Sequence, residues 1–148
     1  MCGFISINFT RMFVAAVSVA AGAGAEPLLS STDVFISGQG GYHTYRIPAI
    51  EAGPDGSLVA FAEARKYSAA DPGFGKQEID LVYKRSTNNG VTWSPMTVLE
   101  HAGEFWSAAN PATLVDKSNG RLWVFYLRAT TTIASSGPVR RVLIVAGW

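Results

Sequence analysis

Arg46, Arg65 and Asp71 are the residues of this 148-residue chain whose types and spacing could do chemistry. They lie in Y-R-I-P-A-I-E-A-G-P-D-G-S-L-V-A-F-A-E-A-R-K-Y-S-A-A-D, residues 45–71, where two apolar strand-like runs are joined by a turn. Each run brings one arginine to a loop-bound end, and the lone acid follows shortly after the second. A guanidinium offers two parallel N–H donors to a carboxylate, and a carboxyl held beside it can give and take a proton. Brought into one pocket, the three groups would bind an anionic substrate and move a proton. Each also has a plainer reading. Arg46 could be a surface ion-pair partner, and Asp71, placed before Pro72-Gly73, could simply form a turn. Glu63 and Lys66, which flank the second arginine, read as a solvated strand-end pair.

Charge and composition narrow the partners. The net charge is +1 with 48% hydrophobic residues, and no basic run exists that would mark a nucleic-acid or membrane-surface partner. Anion recognition must therefore be local. Residues 1–25 carry one charge, Arg11, then the apolar run Met12 to Ala21 and small residues ending at Ala25. That pattern predicts a secretory leader, with residues 26–148 exported to the periplasm or outside the cell. A retained anchor helix is the alternative, although the run is too short to span a bilayer, so stable membrane insertion is not expected. The single cysteine, Cys2, lies in the leader. The exported part must be held by packing rather than by disulfides.

The rest of the chain reads as all-β. Apolar, β-rich runs at Arg46 to Glu51, Leu58 to Ala64, Ile79 to Arg85, Met96 to Glu100, Ala112 to Val115, Leu122 to Leu127 and Val139 to Val145 are bounded by Gly, Pro, Asn, Asp or Ser. A short run at Asp33 to Ser37 is also expected to be extended. Asp55-Gly56 and Asn119-Gly120 carry hairpin chemistry. Residues 47–61 and 110–125 overlay as an internal repeat, with Pro48 on Pro111, Gly56 on Gly120 and Phe61 on Phe125. A four-stranded unit of that length is the size of a β-propeller blade. Residues 26–148 would supply less than two blades.

Ser86 to Trp93, S-T-N-N-G-V-T-W, is a second turn signal and resembles the Asp-box, with Asn88 where aspartate is usual. Together with R-I-P at 46–48, A-E-A-R at 62–65 and Asp71, it makes the chain similar to the N-terminal part of exo-α-sialidases (neuraminidases) over Phe35 to about Leu127. The resemblance implies part of a six-bladed β-propeller, roughly its first two blades, with antiparallel four-stranded blades. It implies that Arg46 grips the carboxylate of sialic acid, that Arg65 lines the pocket near the sugar, and that Asp71 is the general acid/base. Asn110 is implied as a further pocket residue. The expected partners are sialylated glycans, and neither cofactor nor metal is expected, because the family attacks the anomeric carbon with a tyrosine activated by a glutamate and proceeds with retention. None of Tyr42, Tyr45, Tyr67, Tyr83 or Tyr126 stands in that tyrosine's motif. Residues 128–148 depart from the family pattern. The chain is thus expected to be an incomplete propeller without turnover of its own. A non-catalytic, carbohydrate-binding Asp-box propeller is the alternative.

Overall fold

The computed structural model describes residues 31–130 and the backbone of 141–146, all of it strand, turn or coil with no helix. The leader expected over residues 1–25 lies outside the described residues. Seven strands form the sheet: β1 Thr44–Ala52, β2 Leu58–Arg65, β3 Ile79–Ser86, β4 Thr97–Glu100, β5 Trp106–Asp116, β6 Arg121–Thr130 and β7 Arg141–Ala146. The first four make an antiparallel meander in chain order. The last three make a second antiparallel set, joined to the first by a single parallel pairing of Ile79 with Ser107. This is one four-stranded blade followed by three strands of the next.

The internal repeat is visible in the backbone. In β1 the pairing with β2 slips between Arg46 and Ala49, and in β5 the pairing with β6 slips between Ala109 and Ala112. The residue before each proline takes a left-handed φ, 51° at Ile47 and 54° at Asn110. Proline cannot donate to a ladder, and a bulge is where a strand tolerates that loss. A β-branched residue at positive φ is strained, so Ile47 marks a conformation imposed by the surrounding sheet. The hairpins that follow repeat as well: Gly56 and Gly120 have φ of 77° and 73°, as the tight turns require. Asp55 and Asp116 each accept bonds from the serine two residues on.

The run expected at Asp33 to Ser37 is not a strand but a bend. Its β-rich residues serve packing instead, with Phe35 against the Tyr45 ring at 5.3 Å. The Val34 carbonyl meanwhile accepts from Lys84 Nζ at 2.7 Å. Strand β5 begins six residues before the expected Ala112, because the Asn110-Pro111 pair sits in a bulge rather than at a strand start.

Strand β2 is buried almost throughout because both of its faces are covered. Val59 and Phe61, with Leu81, pack against Ala108, Leu122, Val124 and Tyr126 of β5 and β6. Ala62 and Ala64, with Val82, are covered by Phe35, Tyr42, Tyr45 and Met96. Only the first of these cores joins the two strand sets.

A polar link accompanies that core. Tyr126 donates its hydroxyl to Glu100 at 3.2 Å, and Arg128 pairs with the same carboxylate at 3.2 Å. Burial, reinforced by the Glu100 charge and hydrogen bond, pushes the Tyr126 phenol up to about 12. A phenol that ionises later in the folded chain than in the unfolded one contributes stability that is full below its ordinary value of 10. That contribution is lost as pH rises from 10 towards 12. Near-ultraviolet titration of tyrosinate is expected to show a late-ionising phenol that Tyr126→Phe removes. The same variant should lose less stability in that alkaline interval than the parent chain.

The Ser86–Trp93 turn is closed by its own side chains. Asn88 Oδ1 accepts from the Thr92 amide at 2.9 Å, while Asn88 Nδ2 donates to Thr92 Oγ1 at 2.9 Å. Ser86 Oγ accepts from the Gly90 amide, and the Trp93 indole donates to the Gly90 carbonyl. Asparagine here supplies a donor that a carboxylate lacks.

Candidate active site

The ends of β1 and β2 bring the expected residues together. Register places Arg46 directly opposite Glu63, and Glu63 and Arg65, two apart on β2, share one face of that strand. Beyond Arg65 the chain leaves the sheet and returns as a loop whose tip is Asp71. Pro72 and Gly73 shape that tip: Gly73 has φ of 97° and the Phe74 amide donates to the Asp71 carbonyl at 3.3 Å. Proline and then glycine in the two central positions is what such a turn favours. The turn-forming reading of Asp71 is therefore true, and it is also what presents the carboxyl.

Asp71 Oδ1 receives both cations, Arg46 Nη1 at 2.9 Å and Arg65 Nη1 at 3.1 Å. The two guanidinium groups also share the Ala69 carbonyl, at 3.0 Å from Arg46 and 2.7 Å from Arg65. The arginines differ in what remains to them. Arg65 is buried, with Nε and Nη2 on Glu63 Oε2 at 2.9 and 2.6 Å and Nη1 on Ala69, Ala70 and Asp71. A substrate contact by Arg65 would have to share Nη1 with those acceptors. Arg46 is half-exposed, and among the described residues nothing accepts from its Nε or Nη2. It is the guanidinium open to an outside anion. The Asp71 side chain is 60% exposed, so the enclosure that would withdraw it from water is not built by the described residues.

Glu63 corrects the sequence reading. It is wholly buried rather than solvated, and it does not pair with Lys66, which bonds Glu78 Oε1 at 2.6 Å instead. Its second oxygen accepts from the Asn110 backbone amide at 2.8 Å. Asn110 thus reaches the cluster through its main chain, from the bulge of β5. The signal that could have found Glu63 was its spacing of two from Arg65 on a strand with two covered faces.

One group of metal-ligating types occurs among the described residues, Glu78, Asp80 and His101, with candidate ligand atoms within 4.8 Å of one another. Its charges are already met by the protein. Lys66 holds Glu78, while Asp80 accepts from Tyr42 at 2.7 Å and from the Ala102 amide at 2.8 Å, with His101 Nδ1 at 3.1 Å. A cavity of about 420 Å³ lies at the other end of the strands, between the hairpin turns, lined by Pro54, Val59, Tyr83 and Leu122 among others.

No family model matches the chain. The sialidase of Micromonospora viridifaciens is 32% identical over 108 residues, which are 70% of this chain and 16% of that protein. The exo-alpha-sialidase of Aspergillus fumigatus is 38% identical over 86 residues, 53% of this chain and 20% of that protein. The chain is a sialidase homologue. The chain of a Hadza microbial sialidase superposes with a TM-score of 0.57 at 25% identity, covering 71% of this homologue and 24% of that chain. A leech intramolecular trans-sialidase shares the fold, with a TM-score of 0.61 over 74% of this homologue and 19% of that chain, at 21% identity. The homologue's strands are accordingly part of a sialidase β-propeller. It spans roughly a sixth to a fifth of the length of the curated relatives it matches.

Proposed function

We propose that this segment is the carboxylate-gripping and proton-transferring part of an exo-α-sialidase, acting on terminal sialic acid of glycoproteins, gangliosides or oligosaccharides. The observation that carries this reading is the convergence of Arg46 and Arg65 on one oxygen of an exposed Asp71. Arg46 offers Nε and Nη2 to the substrate carboxylate. Asp71 is in the open to meet a glycosidic oxygen, protonate it as the sugar leaves, and then draw a proton from water. Arg65, anchored by Glu63, holds the loop that presents Asp71. Asn110 lies beside them, its amide on Glu63.

The nucleophile is the part these residues do not supply. Tyr126 has a glutamate beside its hydroxyl, as a tyrosine nucleophile would need, but it is buried in the core and its phenol is pushed up to about 12. Tyr42, whose hydroxyl is given to Asp80, is likewise pushed up by burial and that hydrogen bond. The 148-residue chain is therefore expected to bind sialic acid without hydrolysing a fluorogenic sialoside. Retention through a tyrosine on another part of a longer protein, and export by residues 1–25, belong to the same proposal.

Titration of the chain with α-methyl sialoside, followed by NMR, tests the binding step. Arg46→Ala is expected to weaken affinity by roughly 10- to 150-fold, the value of a hydrogen bond to a charged group. Equal affinity in parent and variant would refute the assigned role, and turnover by the parent chain would refute the missing nucleophile.

A further inference from the structure

Asp71 is clamped from both directions along the chain. Before it, Arg65 Nη1 holds the Ala69 and Ala70 carbonyls at 2.7 and 2.8 Å. After it, the Gly73 amide donates to Gln77 Oε1 at 2.9 Å. The loop that contains this second hold is closed at its base by the Lys66 amide on the Glu78 carbonyl at 3.0 Å. Gln77 is buried, and its main-chain carbonyl accepts from the Phe105 amide at 2.7 Å, so it is fixed in turn by the residues that lead into β5. The other end of its side-chain amide is idle: Gln77 Nε2 is buried and has no partner among the described residues. A buried donor without an acceptor is destabilising, and a methionine would fill similar space without one. Packing alone therefore does not account for a glutamine here. Because the Gly73 N–H can only donate, the atom it meets is the amide oxygen, and that oxygen is what the position uses.

We propose that Gln77 is a positioning residue for proton transfer by Asp71, its amide oxygen setting where the carboxyl stands by holding Gly73. This rests on the reading of Asp71 as the general acid. Arg46 and Arg65 both bond Asp71 Oδ1, which locates that atom but leaves the carboxyl free to pivot about it. The main chain on either side of Asp71 limits the pivot. Only Pro72, whose ring fixes its φ, stands between Asp71 and the held amide. Gly73, at a φ of 97°, is the free joint of the turn, because glycine moves between φ values at low cost. A bond on its amide removes that freedom. Placement matters to proton transfer, since a shift of about 1 Å can cost about 10²-fold in rate. Through Phe105 and Gln77 the second strand set thereby acts on the acid carried by the first.

Amide hydrogen exchange of the 148-residue chain, read by NMR, tests the contact. Gln77→Met is expected to speed exchange at Gly73 by about 2- to 12-fold, the value of a neutral hydrogen bond. Gln77→Glu, which keeps an acceptor in place, should leave Gly73 protected. The consequence is tested in a protein of the relatives' length that carries this segment and turns over sialosides. There Gln77→Met should lower kcat on sialyllactose by about 10- to 100-fold with little change in KM. An aryl sialoside, whose leaving group needs little acid, should be spared. Gln77→Glu should restore the ratio of the two rates, and Gln77→Asn, whose amide is one methylene short, should not. Equal losses on both substrates, or exchange at Gly73 that ignores Gln77→Met, would overturn the positioning role. Failure of both the Met and Asn variants to fold would overturn it too, making Gln77 a support of the fold. Asp71→Asn measured alongside separates the two readings. If it loses equally on both substrates, the general-acid reading falls and the Gln77 role falls with it. If it loses selectively on sialyllactose while Gln77→Met does not, the Gln77 role alone falls.

Discussion

Glu63→Ala is expected to destabilise the fold by about 3–5 kcal/mol, as breaking a buried pair from one side does. The Arg65 guanidinium is 1% exposed and gives Nε and Nη2 to Glu63, and the Asn110 amide gives its hydrogen to the other oxygen. Alanine would leave Nε and Nη2 of a buried cation and a buried N–H together without an acceptor. Chemical denaturation measures the loss. Glu63→Leu combined with Arg65→Met removes both charges at similar volume and should recover much of the stability, because the pair's mutual attraction largely offsets its desolvation. A single alanine variant as stable as the parent would show that Glu63 does not support Arg65. The double variant should still fold, yet its 69–71 loop would lack the guanidinium that holds the Ala69 and Ala70 carbonyls. Stability and site geometry can thus be separated experimentally.

Asp71→Asn is expected to slow release of an unactivated sugar by roughly 10²- to 10⁴-fold, the usual contribution of a positioned general acid. The measurement belongs in a protein of the relatives' length that carries this segment and turns over sialosides. An aryl leaving group departs with little help from an acid, so its release should suffer far less. The ratio of the two losses is the readout, since asparagine keeps the size of the side chain and an acceptor for Arg46 and Arg65. Equal losses on sialyllactose and on an aryl sialoside would assign Asp71 to positioning rather than to proton transfer.

Local chemistry made much of the architecture legible. Asp-Gly and Asn-Gly flanked by apolar runs place the two hairpins, and Gly56 and Gly120 have the positive φ that this chemistry supplies. The repeat of Pro48 on Pro111 foretold equivalent backbone, although not that both prolines sit in bulges preceded by a left-handed residue. Asp33 to Ser37 misled because β-branched and aromatic residues suit any half-buried surface, and Phe35 is used as a lid rather than as a ladder. Glu63 misled for the opposite reason. A carboxylate on a strand is normally in water, and only a cation and an amide arriving from elsewhere in the fold make its burial tolerable.

Residue types and spacing by themselves determined that strands would form, where they would turn, and that two guanidinium groups and a carboxyl stood at loop-bound ends. Those are consequences of backbone preference and period, which act over a few residues. Tertiary structure decided that Arg46 stays open while Arg65 is consumed by Glu63 and the loop, and that β5 closes the cluster through the Asn110 amide. Which donor is spent and which remains depends on register across strands and on the covering of β2 from both sides. Contacts between residues tens of positions apart set both.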